Sequence, residues 1–592
     1  MSSVMHARRG GACSPLTRRS RTVDAPVWRF DSVMEEEHTE ILVMGSGAAG
    51  MTAALAAAKA GRKVTLLEKA GTFGGTTAIS GGGIWIPDSP QARAAGIEDK
   101  LARDYVLGVV GNRANPALID AYLTEGPRSI EWLAGNSSVS FLLSPPSSDW
   151  YPDVPGSADH GRLLAPEEFD GKELGADFDR LSRPRAEFNA PGGMMIDLFD
   201  LPYIARLPAP GALWYMAKIA IRFARDKRRF GRGTRLTMGT ALAGRLLKSA
   251  LDAGVTMIEN AAVERLILEG GRVVGVQSTI AGRPTRLLAT SGVILASGGF
   301  SANAELRKAY IPFAEQHVSI LPYTNTGDGM TAAQGAGAAI GQDNACNAVW
   351  AVVSKRLRAD AYLERYAHLI DMSKPGCIAV GKDGRRFANE ASVHFVEAMH
   401  ESGNVPAHIV ADARFVKRYG MGLSLPGGSK IKELVADGYL KSGATLADLA
   451  RKIGVDPSGL EDSVRRNNGY AKDGKDPEFG KGDKRIDREI GDPKHVPNPC
   501  LGKIGDGPYY AIEIFPGDGS TTIGVKTDAQ MRALDEYGQP IPGLWAAGLD
   551  ANSIWEGKSP AHGCNVGPAL VNGYIAGRSA AGAELPNRHR GN

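Results

Sequence analysis

Residues 39 to 50 read Thr-Glu-Ile-Leu-Val-Met-Gly-Ser-Gly-Ala-Ala-Gly, and this stretch decides the fold. Residues 41 to 44 predict a short buried strand, and the alanine-rich residues 51 to 60 predict a helix. Between them, Gly45, Gly47 and Gly50 form the pattern Gly-x-Gly-x-x-Gly, which permits a tight turn, a close pyrophosphate and close packing of helix on strand. The helix would present free N–H groups and a positive dipole end to phosphates. The residues expected to contact a dinucleotide here are Gly45, Ser46, Gly47, Ala48, Ala49 and Gly50.

The residues that follow narrow the choice of dinucleotide. Residues 63 to 67 predict a second strand, which ends in Glu68 and Lys69. An acidic side chain at this spacing meets the adenosine ribose hydroxyls of a dinucleotide. No arginine stands nearby to pair with a 2′-phosphate, so the sequence favours FAD or NAD over NADP.

A second loop rich in glycine, threonine and serine favours FAD over NAD. A flavin enzyme must wrap backbone N–H groups around the ribityl chain and the isoalloxazine ring, whereas an NAD enzyme has little need of another such loop. The expected contacts in this loop are Gly75, Thr76, Thr77, Ser80, Gly81, Gly82 and Gly83. No histidine occurs in residues 74 to 83, so we expect the FAD to be bound non-covalently.

The loop ends in Gly-Gly-Gly-Ile-Trp-Ile-Pro at residues 81 to 87, and here the chain resembles a known family. It resembles the superfamily of FAD-dependent fumarate reductases and 3-ketosteroid dehydrogenases, most closely the branch of ketosteroid Δ1-dehydrogenases and cyclohexanone dehydrogenase-like enzymes. The resemblance extends over most of residues 38 to 580. It implies an α/β fold in which a Rossmann-like FAD-binding domain carries an inserted substrate domain.

Composition supports two domains. The chain has 592 residues, which exceeds a typical single domain. Residues 355 to 520 shift toward charged and β-branched residues, and we expect them to form the inserted catalytic domain, of α+β type. Residues 38–354 and 521–592 would form the FAD-binding domain. We expect residues 1–37 to be a disordered tail or the result of an over-long start, although an organellar presequence is an alternative.

Charge and cysteine content exclude other classes of function. The net charge of +4 is too small to indicate a nucleic-acid partner. The five cysteines are scattered without a C-x-x-C pair, so no metal site is expected, and such a sparse set is typical of a reducing cytoplasm. No run of apolar residues is long enough to span a membrane. Residues 210 to 232 are basic and amphipathic; contact with a membrane surface is an alternative there, but we favour a solvated helix face.

The resemblance implies further FAD contacts later in the chain. Gly548 belongs to a strand and glycine turn, after which Asp550 or Asn552 would bond the ribityl chain because Leu549 replaces a polar residue. The segment from Lys558 to Leu570 resembles the loop and helix N-terminus beneath the flavin pyrimidine. The remaining contacts expected near FAD are Val263, Ala296, Ser297, Gly298, Asp328, Asn565 and Val566.

The resemblance also implies catalytic residues. Trp150 and Tyr151 lie where the family places an aromatic segment over the substrate pocket, and Tyr203 and Tyr215 are alternatives. His394 stands where ketosteroid dehydrogenases end a segment on a proton-abstracting tyrosine, and a histidine is a competent base near neutral pH. We expect His400 and His408 to be structural.

The last catalytic segment concerns the substrate carbonyl. A tyrosine hydroxyl and a glycine N–H hold this oxygen in the steroid enzymes; here the positions are Ser559 and Gly563. Because serine is shorter, the carbonyl must come closer, or a water or another donor must fill the gap. This change puts a four-ring steroid in doubt and leaves a smaller cyclohexanone-type ring as an alternative.

Together these features predict a dehydrogenase that introduces a C=C bond beside the carbonyl of a cyclic ketone. A fumarate-type reductase is the first alternative, although Lys558 and His562 are the only cationic candidates in the segments that should clamp a dianion. A non-catalytic flavin-bound electron carrier is the second. No second dinucleotide fold is apparent, so the expected electron acceptor is a quinone or an electron-transfer protein.

Overall fold

The computed structural model describes residues 35–185, 189–190, 192–197, 199–204, 206 and 208–583. Its strands are β1 Glu35–Met44, β2 Val64–Leu67, β3 Ile84–Trp85, β4 Phe141–Leu143, β5 Leu163–Pro166, β6 Phe169–Asp170, β7 Asn189–Ala190, β8 Met194–Met195, β9 Arg235–Leu236, β10 Thr256–Ile258, β11 Ala261–Glu269, β12 Arg272–Ile280, β13 Arg283–Leu295, β14 Val318–Ser319, β15 Ala348–Leu357, β16 Leu363–Ala367, β17 Cys377–Val380, β18 Ala407–Asp412, β19 Lys441–Gly443, β20 Tyr509–Thr521, β21 Arg532–Leu534 and β22 Pro540–Ala546.

Helices cover both faces of the sheets. They are α1 Ala48–Lys59, α2 Gly75–Ala78, α3 Pro90–Ala94, α4 Ala102–Val110, α5 Pro116–Asn136, α6 Leu201–Ile204, α7 Pro210–Phe230, α8 Met238–Asp252, α9 Ala304–Tyr310, α10 Asp328–Gly335, α11 Phe395–Ser402, α12 Ala413–Tyr419, α13 Ile431–Ala436, α14 Leu446–Ile453, α15 Pro457–Asp473, α16 Arg485–Ile490 and α17 Val566–Ala580. None of these described helices is long and apolar enough to cross a lipid bilayer.

The first large sheet is built around β1. Its strand order is β10-β2-β1-β13-β12-β11, with β22 beside β13 and β21 beside β22. Strand β1 runs parallel to both β2 and β13, so its carboxyl end points into the loops that follow these strands. This is the doubly wound arrangement expected from the glycine pattern, and the α/β prediction is confirmed.

Strand β1 begins at Glu35, six residues before the strand that the sequence predicts from residue 41. Glu35 to Glu37, which we assigned to the N-terminal tail, pair with residues 285 to 287 of β13. Their side chains are exposed, so hydrophobicity gave no signal for a strand that backbone hydrogen bonds extend. The rest of the predicted tail, residues 1–34, lies outside the described residues.

The second large sheet has the order β16-β15-β20-β18-β17, with β14 and β19 also pairing with β20. Strand β15 crosses residues 354 and 355, where composition suggested a domain border, and the division into domains stays a prediction. The Asp-Gly pair at residues 383 and 384 predicts a hairpin after residue 380, but this prediction is wrong, because β17 pairs with β18 instead. Its turn does form, but Arg386 then turns inward to Glu390 and Asp476 rather than continuing as a strand.

Helices α1 and α17 pack side by side beneath the first sheet. A Cβ at Gly573 would lie 2.3 Å from the Ala49 carbonyl oxygen, and one at Gly577 would lie 2.2 Å from that of Ala53. Because successive contacts advance four residues in each chain, the two helices run parallel. Helix α17 begins seven residues before its contact with Ala49, so its N-terminus extends about 10 Å beyond that point.

Candidate active site

A cavity lies at the carboxyl ends of β1 and β13, where the glycine turns meet. Most of the residues expected to bind a dinucleotide line it: Gly45, Ser46, Gly47, Ala48, Ala49, Glu68, Lys69, Gly75, Thr76, Thr77, Val263, Ala296, Ser297, Gly298, Asp328 and Gly548. We call this the cofactor cavity. Thr324 and Asn325 also line it and were not singled out, because nothing in their local sequence distinguishes them from loop residues.

The three glycines of the first turn do different things. A Cβ at Gly45 would lie 2.2 Å from the Ala296 carbonyl oxygen, and one at Gly50 would lie 1.9 Å from that of Gly45. Both are therefore required by chain packing, and Gly50 does not line the cavity. A Cβ at Gly47 would meet only the Thr77 hydroxyl at 3.7 Å, so its absence leaves space on the cavity side.

The start of helix α1 supplies the donors that a pyrophosphate needs. Gly47, the residue before this helix, provides no side-chain cap, and no acidic residue occupies the first turn; the Ala48 amide donates to the Thr77 hydroxyl at 2.9 Å. The dipole and the free amides therefore face the cavity, as a phosphate-binding helix requires. Glu68 accepts hydrogen bonds from the Ser46 amide at 3.0 Å and from the Ala70 amide at 2.8 Å, which fixes its carboxylate at the cavity wall.

Several residues predicted to contact the cofactor lie outside this cavity. The Ser80 hydroxyl donates to a carbonyl of its own loop. A Cβ at Gly82 would lie 2.5 Å from the Gly239 amide nitrogen, and a Cβ at Gly83 would lie 3.1 Å from the Leu163 side chain. These residues seat the loop on its neighbours. Val566 is the first residue of α17 and also does not line the cofactor cavity.

Asp550 lies behind the cavity wall rather than along a ribityl path. Its carboxylate accepts hydrogen bonds from the Ser297 amide at 2.5 Å and from the Ser297 hydroxyl at 2.8 Å. Burial raises the pKa of Asp550 to about 7. Asn552 bonds the Asn344 side chain and lines a small adjoining cavity.

That small cavity joins the cofactor cavity to a larger one. It shares Gly548, Leu549 and Ala569 with the cofactor cavity, and it shares Cys564 and Asn565 with the larger cavity. The path through the three cavities therefore passes the N-terminus of α17. Asn565 precedes this helix but its side chain does not cap it, and the first turn contains no acidic residue. A long dinucleotide fits this path, with one helix dipole at its phosphates and a second beyond them.

The larger cavity has a volume of about 360 Å³ and is lined by strand β15 of the second large sheet, by residues around the start of α11 and by the loop before α17. We call it the substrate cavity. Its walls are mainly apolar, including Trp150, Trp350, Leu369, Met372, Phe395 and Ile490. Among the described residues, no lysine or arginine lines it. It is therefore suited to a neutral ring compound.

Two consecutive residues offer hydrogen-bond donors to this cavity. Gly563 lines it, and its amide has no acceptor within the described chain. His562 also lines it, and neither of its ring nitrogens has a hydrogen-bond partner among the described residues. Burial lowers the pKa of His562 to about 4, so the imidazole is neutral at physiological pH. Its ring stands edge-on to Trp150, with 5.2 Å between the ring centroids.

The structure places Ser559 differently from His562. Ser559 does not line the substrate cavity, and its hydroxyl donates a hydrogen bond to the sulfur of Cys564. The family pattern drew attention to Ser559, whereas the donor that faces the cavity is three residues later. Sequence reasoning considered His562 only as a cation, and its neutral state follows from burial that a sequence does not reveal.

The other predicted catalytic residues meet at one edge of the cavity. Trp150 lines it, Tyr151 follows, and the Tyr151 ring lies 5.0 Å from the His394 ring. His394 itself does not line the cavity, but residues 392, 393 and 395 do. Burial, followed by the charge of Glu397, raises the pKa of Tyr151, which disfavours a phenolate there.

Glu397 is a residue of this edge that sequence reasoning missed. It lies one helical turn after His394, and its Oε2 is 3.1 Å from His394 Nδ1. Although burial opposes it, the hydrogen bond from His394 lowers the pKa of Glu397, so the carboxylate is ionised. A carboxylate on Nδ1 fixes the imidazole tautomer and leaves Nε2 as a proton acceptor. The indication available in the sequence was the three-residue spacing of His394 and Glu397 at the start of a helix.

The remaining candidates lie elsewhere. Tyr203 and Tyr215 stack on each other with centroids 3.8 Å apart, and Tyr215 donates to Asp200, away from the cavity. Burial lowers the pKa of both His400 and His408 to about 4, and neither lines the cavity. His368 does line it, but its two ring nitrogens already bond Asp371 and Ser354 at 2.8 Å each.

Comparisons with known proteins agree with this geometry. A family model described as an FAD binding domain matches residues 40–566. The chain is 34% identical over 578 residues to a 3-oxosteroid 1-dehydrogenase of Mycolicibacterium smegmatis, covering 94% of this chain and 99% of the relative. It is 36% identical over 562 residues to a 4-oxocyclohex-2-ene-1-carboxylate 5-dehydrogenase of Sinomonas cyclohexanicum, covering 92% and 93%.

A solved structure is similar along nearly the whole chain. The 3-ketosteroid delta1-dehydrogenase from Sterolibacterium denitrificans, in complex with 1,4-androstadiene-3,17-dione, superposes with a TM-score of 0.86 at 33% identity. The match covers 92% of this chain and 100% of that one. The architecture described above is therefore shared from the first glycine turn to helix α17.

Proposed function

The chain belongs to the FAD-binding flavoprotein family that includes the 3-oxosteroid 1-dehydrogenases, it is an FAD-dependent oxidoreductase, and on this basis we propose that it desaturates neutral cyclic ketones beside the carbonyl. The observation that carries the proposal is the substrate cavity. It adjoins the far end of the cofactor path, has apolar walls and presents two free donors at Gly563 and His562. Relatives named for ring ketones support a cyclic ketone as the substrate.

The residues present fit FAD along the whole path. Gly47 and the start of α1 would hold the pyrophosphate, Glu68 the adenosine ribose, and the N-terminus of α17 the far end of the ring system. FAD, when bound, supplies the acceptor for the two electrons of the desaturation. Loss of a proton beside the carbonyl and of a hydride from the next carbon gives the C=C bond.

The ketone oxygen is held by the Gly563 amide and the neutral His562 imidazole. Negative charge develops on this oxygen as the neighbouring proton leaves, and donors already in place stabilise that charge without reorganisation. A neutral imidazole keeps an N–H to donate, and the packing of its ring against Trp150 limits its orientation. This pair replaces the predicted pair of Ser559 and Gly563.

His394 removes the proton, and Glu397 positions it. The ionised carboxylate holds Nδ1–H, so Nε2 carries the lone pair that accepts the substrate proton. Tyr151 packs against the imidazole and closes the cavity edge with Trp150. The phenol is a weaker candidate because its pKa is raised by burial.

The charges around the cavity select a neutral substrate. A carboxylate brought into an apolar cavity without a cationic partner loses hydration that nothing restores. Lys558 does not line the cavity and His562 is neutral, so neither would hold a dianion as a fumarate-type reductase requires. A carboxylated ring ketone of the kind named for the Sinomonas relative is disfavoured for the same reason. The proposed physiological acceptor remains a quinone or an electron-transfer protein.

The substrate class is tested by steady-state turnover with an artificial dye acceptor. The panel pairs a saturated 3-ketosteroid and an uncharged alkylcyclohexanone with 4-oxocyclohexanecarboxylate, and fumarate is tested with reduced dye. We expect kcat/KM for the uncharged ketones to exceed that for the carboxylate by roughly tenfold or more, from the cost of an unpaired charge. A preference for the carboxylate, or fumarate reduction as the fastest reaction, would contradict the proposal.

A further inference from the structure

Helix α7 carries an exposed face that the active site does not use. The helix has 21 residues, so it is about 30 Å long. Trp214 is 70% exposed and Ile221 is 66% exposed, and apolar side chains exposed together on one helix mark an interaction surface where singly exposed ones do not. Leu213 at 51% stands beside them, and Leu201 of α6 at 48% is also exposed.

The exposed side chains follow one side of the helix. Residues 214, 218, 221, 225 and 228 are spaced by four and three residues, so they share a face. This outer face consists of Trp214, Lys218, Ile221, Arg225 and Arg228, with Leu213 at its edge. Its apolar members lie toward the N-terminal half and its arginines toward the C-terminal half.

The opposite face of α7 fixes the helix to the protein. Ile219 and Asp226 are buried there. Asp226 accepts a hydrogen bond from the Thr234 hydroxyl at 2.7 Å, and Arg222 bonds Glu168 at 2.6 Å. These contacts fix the orientation of α7, so the outer face of the helix remains exposed in the folded protein.

The charge of this segment has one sign. Residues 201 to 232 contain eight basic side chains and one acidic side chain, and the acidic one is the buried Asp226. No ion pair joins Lys218 or Arg228 to any described residue. A partner must therefore accept apolar side chains and several cations from the same face.

We propose that the outer face of α7 binds the surface of an anionic lipid bilayer, with the helix lying in the plane of the interface. Trp214, Leu213 and Ile221 would enter the boundary between headgroups and acyl chains, and the basic side chains would meet the headgroup phosphates. A single outward helix face that carries both apolar and basic side chains fits this interface. An acidic protein partner would match the cations but would have to cover a convex ridge.

The test uses FAD-replete full-length protein and sucrose-loaded vesicles. Vesicles of phosphatidylcholine alone are compared with vesicles of phosphatidylcholine and phosphatidylglycerol in equal parts, and the bound fraction is measured by sedimentation. We expect roughly tenfold stronger partition onto the anionic vesicles. We also expect that binding to fall at about 1 M salt, where screening reaches about 3 Å.

Variants separate insertion from general adhesion. Trp214→Ser with Ile221→Ser should lower partition by about tenfold or more, because two inserted apolar side chains are lost. The matched control is Leu357→Ser with Val496→Ser, since these side chains are 68% and 80% exposed elsewhere. Flavin content confirms that both variants fold. Quenching of Trp214 by brominated lipids should disappear in Trp214→Phe.

Three outcomes would overturn the proposal. The parent could remain in the supernatant with anionic vesicles at low salt, or the Trp214 and Ile221 variant could bind as the parent does. The third is that this variant converts a dimer into a monomer in sedimentation velocity while the parent ignores vesicles. That result would assign the face to a second copy of the chain.

Discussion

The cofactor cavity and the substrate cavity are built in opposite ways. The cofactor cavity is made of backbone turns close together in sequence, such as residues 45–49 and 75–77, with few side chains that matter individually. The substrate cavity draws side chains from residues 150, 350–372, 390–396 and 561–565. A backbone site leaves a pattern of glycines, whereas a side-chain site leaves isolated residues whose state depends on distant neighbours. The two regions should therefore respond differently to substitution.

The largest effect is expected at the backbone site. Gly47→Val should give a folded protein without flavin, because its Cβ meets no protein atom closer than 3.7 Å and the branched side chain fills ligand space instead. The ratio of flavin to protein absorbance measures this. Gly135→Val is the control, since a Cβ there has no neighbour within 4 Å. A folded Gly47→Val protein with full flavin content would refute the assignment of the turn.

The next effect tests the side-chain site and should leave the flavin bound. His394→Ala should slow reduction of the bound flavin by ketone by roughly 10²–10⁴-fold, as expected for a positioned base. Glu397→Gln should slow it by roughly 10–100-fold, the range for loss of a partner that orients a histidine. Stopped-flow absorbance gives both rates, and His38→Ala is a surface control. If His394→Ala reduces flavin at the parent rate, the base moves to Tyr151.

A somewhat smaller effect is expected at the oxygen site. His562→Ala should lower the reduction rate by roughly 10²–10³-fold, as for a lost donor to a developing oxyanion. Ser559→Ala should change the rate little, because Ser559 does not line the cavity and its hydroxyl is already bonded to Cys564. The two variants form a matched pair. A large loss in Ser559→Ala together with none in His562→Ala would restore the pair of donors inferred from the family.

The smallest effect concerns Asp550, which lies behind the wall of the cofactor cavity. Asp550→Asn should retain FAD, because the Asp550 carboxylate bonds Ser297 behind the wall. Burial raises the pKa of Asp550 from 3.8 to about 7, so its stabilising contribution is complete below pH 3.8 and is lost as pH rises through 7. The parent should therefore lose roughly a few degrees of melting temperature relative to Asp550→Asn between about pH 5 and about pH 8. If the melting temperatures of the parent and of Asp550→Asn changed equally with pH, Asp550 would not titrate in this range.

The sequence predicted the first region well. One cavity is lined by the end of the first strand, the start of helix α1, Glu68, Ser297 and Gly548. They could be predicted because each lies in a local sequence pattern that has a physical explanation. Asp550 was expected to bond the ribityl chain because Leu549 replaces a polar residue, and in the structure its buried carboxylate bonds Ser297. Strand β1 was predicted too short because its exposed half carries no hydrophobic signal.

The substrate cavity was predicted only in outline. Trp150, His394 and Gly563 were named from the family pattern, and the structure brings their segments to one cavity. Glu397 was missed because its pairing with His394 depends on the helix that begins at Phe395. His562 was considered only as a cation, since a sequence does not show the burial that keeps it neutral. The state of a side chain is a property of the packed protein.

The most direct test of the account is a single turnover without oxygen. FAD-replete enzyme is mixed anaerobically with an excess of a saturated uncharged ring ketone, and flavin absorbance and products are followed together. The account predicts loss of the oxidised flavin band and one α,β-unsaturated ketone formed per flavin reduced. If the flavin stays oxidised with every such ketone but is still bleached by dithionite, the protein carries electrons without oxidising a ketone, and the central claim is contradicted.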